Sequence, residues 1–273
     1  DSAAGIAMKD AHIALFGSMQ NTHAAKFELL QSLPKDGLAI TNTDNAYCRQ
    51  GLDELSARVE TFGGDEELKP ACLIVNSKGT TIGMTATVLF NGTKIDFEAP
   101  VLGVHNAGNI AACILAAAHL GMNIPDIVSQ IKILQPAEHT LRQFTYGQTI
   151  IIDDSYNANP DGFHAALDVL RTFDSGRRRI VITRGIPELG DESDRIHEDI
   201  GAEIAYAADT LVLVSRDFEE PLRRGVGNKF ETAVLVKDDP ADLLEFVKSL
   251  KDTAAVILVE NRVAEAVYEE LCS

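Results

Sequence analysis

The chain has 273 residues, 45% of them hydrophobic, and carries 41 acidic against 24 basic residues for a formal net charge of −17. That length accommodates two domains with cores of their own, and no apolar run approaches the roughly eighteen residues of a membrane span. The charge repels phosphate backbones and anionic lipid, which argues against nucleic-acid and membrane partners. A small anionic substrate would need local neutralisation, by Mg²⁺ and one or two basic side chains.

Helical periodicity runs over 22–33, followed by the turn PKDG and a strand, LAITN. Beyond Thr61 the pattern becomes strands, CLIVNSKGTTIGMTATVLFNGTKIDFEAP, with a hairpin signal at Asn91–Thr93. The Ala-rich segment NAGNIAACILAAAHLGM predicts a helix ended by Gly121 and followed by Pro125. A Pro and a polar stretch at 135–141 separate this half from the next, giving expected domains at 1–136 and 137–273. The second half alternates strands at 149–153, 179–183, 210–214, 233–236 and 255–259 with helices at 161–173, 193–207, 241–250 and 263–271. Continuous apolar strands between amphipathic helices indicate an α/β fold with a mostly parallel sheet covered on both faces. The four cysteines, Cys48, Cys72, Cys113 and Cys272, show no CxxC or metal-ligand spacing and read as free thiols in a reducing cytoplasm. The first ten residues have neither the basic nor the apolar region of a secretory leader.

Four constellations carry chemistry. DAHIALFGS sets His12 in a short loop before the helix that bears Lys26. ITNTDN gathers amides and an acid at a strand end. In GVHNAGNIAA, Asn106 and Asn109 are three apart, so on a helix they share a face and offer donors and acceptors suited to a purine edge. As a lone residue, Asn106 would read as an N-cap. In IIIDDSYNANP a β-branched strand delivers two carboxylates to its C-terminal end just before a helix, where open α/β sheets bind ligands. A capped βα loop is the bland alternative. The Tyr and two Asn behind the acids favour a ligand loop.

In family order, AHIALFGSMQNTHAAKFELLQSLPKDGLAITNTDN, GVHNAGNIAA, DDSYNANPD and ELGDESDRIHEDIG resemble the Mur ligases, ATP-dependent amide-forming enzymes of peptidoglycan synthesis. The resemblance implies the later part of a central α/β ATPase domain followed by a Rossmann-like C-terminal domain. It implies ATP and Mg²⁺ as cofactors, and a UDP-muramoyl peptide and D-Ala-D-Ala as small-molecule substrates of a cytoplasmic monomer. His12 would ligate Mg²⁺, and Lys26 falls where the family carries a carbamylated lysine that holds a second Mg²⁺. Asn106 and Asn109 would hold the adenine side of ATP, Asp154 would reach the nucleotide, and Ser155, Tyr156, Asn157 and Asn159 would lie near the incoming amine. The expected arrangement is a cleft whose two walls carry the metal and the nucleotide groups.

Two departures stand out. No GxxxxGK[ST] occurs, so the sequence reads as a portion of a longer ligase that does not hydrolyse ATP alone. At the domain boundary, PAEHTLRQF puts Thr140 where the family has an Arg; in a strand, Arg142 would point the same way and substitute. Another Mur-type ligase and a non-catalytic ligase-like binding protein remain as alternatives. An oxidoreductase is disfavoured, since no GxGxxG follows a strand.

Overall fold

The computed structural model describes residues 3–6, 19–173, 176–227 and 232–273. The chain divides into two compact units, Asp1–Gln135 and Pro136–Ser273.

In the first unit, six strands form one sheet in sequence order: β1 (Ala3–Ile6), β2 (Leu38–Asn42), β3 (Arg58–Gly63), β4 (Cys72–Thr80), β5 (Gly83–Phe90) and β6 (Thr93–Ala99). Strands β1 to β4 are parallel, whereas β4, β5 and β6 form an antiparallel meander. Asn91 and Gly92 both take positive φ, 50° and 74°, the conformation that a two-residue type I′ hairpin turn requires. Helix α1 (Met19–Gln31) precedes β2, and α2 (Asn106–His119) lies against β2, β3 and β4. The apolar spacing of α2 explains its docking: Ala107, Ile110, Ala111, Ile114 and Leu115 all face inward. Burying each Ile or Leu stabilises by roughly 1.5–3 kcal/mol.

Gly121, at φ 91°, ends α2. The Met122 amide donates to Ala117 O and the Gly121 amide to Ala118 O, both at 3.0 Å, which closes a Schellman motif. The sequence pattern predicts no helix beyond Gly121, but Pro125 lies in the first turn of a further helix, α3 (Ile124–Ile131), capped by the Asn123 side chain. Proline is tolerated in a first helical turn because its missing N–H has no intrahelical partner.

The second unit holds β7 (Arg142–Tyr146), β8 (Thr149–Asp154), β9 (Arg178–Thr183), β10 (Thr210–Leu213), β11 (Ala233–Val236) and β12 (Ala255–Glu260). Between them run α4 (Pro160–Arg171), α5 (Ser193–Ala207), α6 (Glu219–Val226) and α7 (Pro240–Leu250), with α8 (Glu265–Leu271) last. The spatial order is β11-β10-β9-β12-β8-β7, parallel except for the edge strand β7. The mostly parallel sheet expected from the alternating pattern is present. Strand β12 returns to fill the place between β8 and β9, so the C-terminal ends of three strands distant in sequence become neighbours. Glu260 there registers with Asp154 on one side and Thr183 on the other.

Candidate functional site

In the first unit, Lys26 sits half-buried on α1, one turn beyond His23. The His23 ring stacks on Phe27 at 5.2 Å, and its Nε2 is buried with no hydrogen-bond partner. His12 lies outside the described residues. Among the described residues no three His, Cys, Asp or Glu side chains gather as a metal site. An ammonium at Lys26 repels Mg²⁺, so Lys26 fits such a site only once its amine has become a carbamate.

Asn106 and Asn109 meet, as their spacing requires: Asn109 Nδ2 donates to Asn106 Oδ1 at 2.8 Å, and Asn106 Nδ2 donates to Leu102 O at 2.7 Å. The N-cap of α2 is His105, not Asn106, and it makes no side-chain capping bond. Asn106 is thus a tether that orients the exposed Asn109. In ITNTDN, Asp44 is occupied with structure: its carboxylate accepts the Gly64 amide at 2.8 and 2.9 Å and joins the ends of β2 and β3.

In the second unit, the end of β8 divides its labour between two acids. Asp153 is buried; its Oδ1 accepts the Ser155 hydroxyl at 2.5 Å and the Ser155 amide at 3.1 Å, while Oδ2 lies 3.1 Å from His139 Nδ1. Asp154 is half-buried and accepts the Leu141 amide at 3.1 Å. Ser155 is therefore an internal brace. Asn159 caps α4, its Oδ1 accepting the Gly162 amide at 3.0 Å. Tyr156 and Asn157 are exposed, and the Tyr156 amide donates to His139 O at 3.1 Å.

The substitution of Thr140 by Arg142 through strand alternation does not hold. Strand β7 begins at Arg142, and Leu141 before it has φ 45°, so the two-residue period does not reach back to Thr140. Thr140 is exposed, with its hydroxyl donating to Glu138 O at 3.2 Å, and Arg142 is exposed on the sheet edge.

Several groups escaped the sequence reading. Arg184, Ser215, Lys237 and Arg262, from the ends of β9, β10, β11 and β12, line an open depression of ≈ 360 Å³. Its acid, Asp238, is already held by Arg216 Nε at 2.7 Å, so the lining keeps an excess of positive charge. Arg184 Nε is buried without a hydrogen-bond partner. A cationic hollow in a chain of net charge −17 is suited to a carboxylate or phosphate. A basic residue just past three of these apolar strands, Arg184, Lys237 and Arg262, was the available signal. Buried His197 holds the turn after Arg184, with Nε2 accepting the Ile186 amide at 3.0 Å.

Both units have counterparts among known proteins. Residues 2–117 match the Mur ligase middle domain, and residues 141–262 match the Mur ligase glutamate ligase domain. UDP-N-acetylmuramoyl-tripeptide–D-alanyl-D-alanine ligase of Haemophilus influenzae is 28% identical over 259 residues, 93% of this chain and 52% of that protein. The Bacillus subtilis ligase of the same name is 26% identical over 264 residues, covering 94% of this chain and 55% of its own length. The chain thus spans about half the length of the curated relatives it matches. Among solved structures, MurF from Acinetobacter baumannii superposes with a TM-score of 0.82 at 22% identity over 98% of this chain and 59% of its own. MurF from Thermotoga maritima in complex with ADP gives 0.81 at 19% identity, over 98% and 61%. On its two domain matches, the chain belongs to the Mur ligase family.

Proposed function

We propose that this chain serves an ATP-dependent, ADP-forming ligase that joins D-Ala-D-Ala to a UDP-N-acetylmuramoyl tripeptide in peptidoglycan precursor synthesis, acting as a cytoplasmic monomer. The observation that carries the reading is the cationic depression of Arg184, Lys237 and Arg262, in the same sheet whose β8 end presents Asp154. The hollow suits the carboxylate of the incoming dipeptide, and Asp154 suits the hydroxyl groups of a nucleotide. Asn109, oriented by Asn106, would take the adenine edge. Tyr156 and Asn157 would border the amine, with Ser155 and Asn159 shaping the loop beneath them. His12 and a carbamylated Lys26 would hold Mg²⁺, which when bound neutralises the triphosphate.

The reaction has two steps. The substrate carboxylate attacks the terminal phosphate of ATP to give an acyl phosphate and ADP; the dipeptide amine then adds to the acyl carbon and phosphate leaves. Its barrier is largely one of like charges brought together, so fixed donors and orientation supply most of the catalysis. The chain's own residues contribute orientation: the cationic hollow fixes the dipeptide carboxylate, and its amine then has one direction of approach.

The test is ADP release by the gene product given MgATP, UDP-N-acetylmuramoyl tripeptide and D-Ala-D-Ala. Release that depends on the dipeptide, with a raised KM for the dipeptide in Arg184→Ala and an unchanged KM for ATP, supports the reading; no dipeptide-dependent release sinks it. A second reading, a binding protein of ligase ancestry, is favoured by Thr140 and by the break at Leu141 that keeps Arg142 from standing in for it. It requires ligand binding with no ADP release.

A further inference from the structure

Glu260 ends β12 with its side chain fully buried, and among the described residues no N–H or hydroxyl group donates to either carboxyl oxygen. Leaving an ionised carboxylate in such a place is costly enough that the group stays neutral or finds a partner. Its register neighbours are Asp154 on β8 and Thr183 on β9. In a parallel sheet, residues in register point to the same face, so Glu260 and Asp154 are two acids side by side.

We propose that Glu260 is the positioning residue for Asp154: a carboxylic acid that shares its proton with the Asp154 carboxylate, so that this end of the sheet carries one negative charge instead of two. Two like charges on adjacent strands oppose each other's ionisation, and the more deeply buried member retains the proton. Burial first, then the charge of Asp154 and a hydrogen bond with it, hold the Glu260 carboxyl well above the usual carboxylate range. Asp154 is half-buried and also accepts the Leu141 amide, so it is the member that ionises.

Among the described residues, the charge that acts on Glu260 is that of Asp154. Ala255, Ile257 and Val259 face the core shared with α7 and α8, so Glu260 faces the opposite side. Helix α4, packed against β12, turns Phe163, Leu167 and Leu170 inward, and its His164 pairs with Glu203 of α5 at 3.0 Å. Thr183 is uncharged, and its hydroxyl accepts the Gly185 amide at 3.0 Å. His197 of α5 is buried, and burial lowers its pKa. Asp153 registers with Val259, not Glu260, and is occupied by Ser155 and His139. Arg184, following Thr183, lines the cationic depression.

With its proton partner in place, Asp154 becomes a fixed acceptor of a single charge, able to take a ligand hydroxyl without adding a second anion near a triphosphate. That consequence rests on the nucleotide role proposed for Asp154; the shared proton itself is measurable without nucleotide. In the whole chain labelled with ¹³C at the glutamate side-chain carboxyl, the resonance lost in Glu260→Gln is expected at the protonated position at neutral pH. Asp154→Asn is expected to move its titration to lower pH. An ionised Glu260 at neutral pH, or a titration indifferent to Asp154→Asn, overturns the proposal.

Thermal midpoints give a second reading. Because the folded pKa lies above the unfolded value of 4.5, the wild type loses stability as pH rises from there until Glu260 ionises. Glu260→Gln lacks that loss, so its midpoint should gain on the wild type across the same range; parallel curves would overturn the proposal.

Discussion

His197 Nε2 accepts the amide hydrogen of Ile186 at 3.0 Å, and this bond fixes the backbone that follows Arg184. The other ring nitrogen, Nδ1, lies 2.7 Å from the Ser193 carbonyl, which assigns the hydrogen to Nδ1 and leaves Nε2 as acceptor. Phe218 stacks on the ring at 4.0 Å and 10°. A protonated ring would turn Nε2 into a donor facing a donor. Burial accordingly lowers the pKa of His197, against smaller upward contributions from Ser193 and Asp194.

The pH dependence follows from that sign. A histidine depressed in the folded state contributes stability that is complete above its unfolded value of 6.5 and is lost as pH falls below it through the folded pKa. His197→Gln, which can accept from Ile186 and donate to Ser193 but does not titrate, should show a shallower fall in thermal midpoint on acidification through this range. An unchanged slope would exclude His197 as its source. His197→Ala should cost about 2–3 kcal/mol in urea unfolding, since it leaves the Ile186 amide buried without an acceptor.

Helices α5 and α6 approach so closely that one methyl group decides their packing. A Cβ at Gly225 would stand 2.0 Å from Glu198 O and 2.8 Å from Ala202 N, both backbone atoms unable to rotate away. Gly225→Ala should therefore cost about 3 kcal/mol. Gly108→Ala is the contrast: its Cβ would meet only the Phe62 ring at 3.4 Å, and the gain in helix propensity is worth up to about 1 kcal/mol. Equal effects of the two substitutions would contradict the packing described.

What the sequence made legible, and what it concealed, follows from the same geometry. Runs such as RIVIT and AVILVE in β9 and β12 are readable because strands buried on both faces need apolar residues at every position. The short strand RVETFG and the helix EEPLRRGV, with Pro and Gly inside it, lack such patterns and are not legible in the sequence. Asn106 and Asn109 were legible as a pair because helix periodicity fixes a local contact. The cationic depression was not, since it depends on four strand ends brought together by topology. Glu260 is the sharpest instance: chain order makes β8 and β9 consecutive, and only the return of β12 between them turns an acid at a strand end into a buried partner of Asp154.

Asn159 illustrates how a residue in a ligand loop can be tested for a second duty. Its side chain caps α4 through the Gly162 amide, so Asn159→Ala should lower stability by about 1 kcal/mol in denaturant unfolding, while Asn159→Asp retains the acceptor and should lose little. A substrate contact alone would leave the stability of both variants unchanged.

The Asn106–Asn109 pair makes a separable claim about stability and binding. Asn106 is half-buried and gives its Nδ2 hydrogen to Leu102 O, so Asn106→Ala should cost about 1 kcal/mol in unfolding and release Asn109 as well. Asn109 is exposed, and Asn109→Ala should leave the thermal midpoint near that of the wild type. If Asn109 is the group that meets the adenine edge, both substitutions weaken adenine-nucleotide binding, and the double variant is no weaker than the worse single one because the two act as a unit. Calorimetric titration with MgADP across the four proteins checks this. Strictly additive losses would show that Asn106 and Asn109 bind independently, and no loss in either would remove the pair from the nucleotide site.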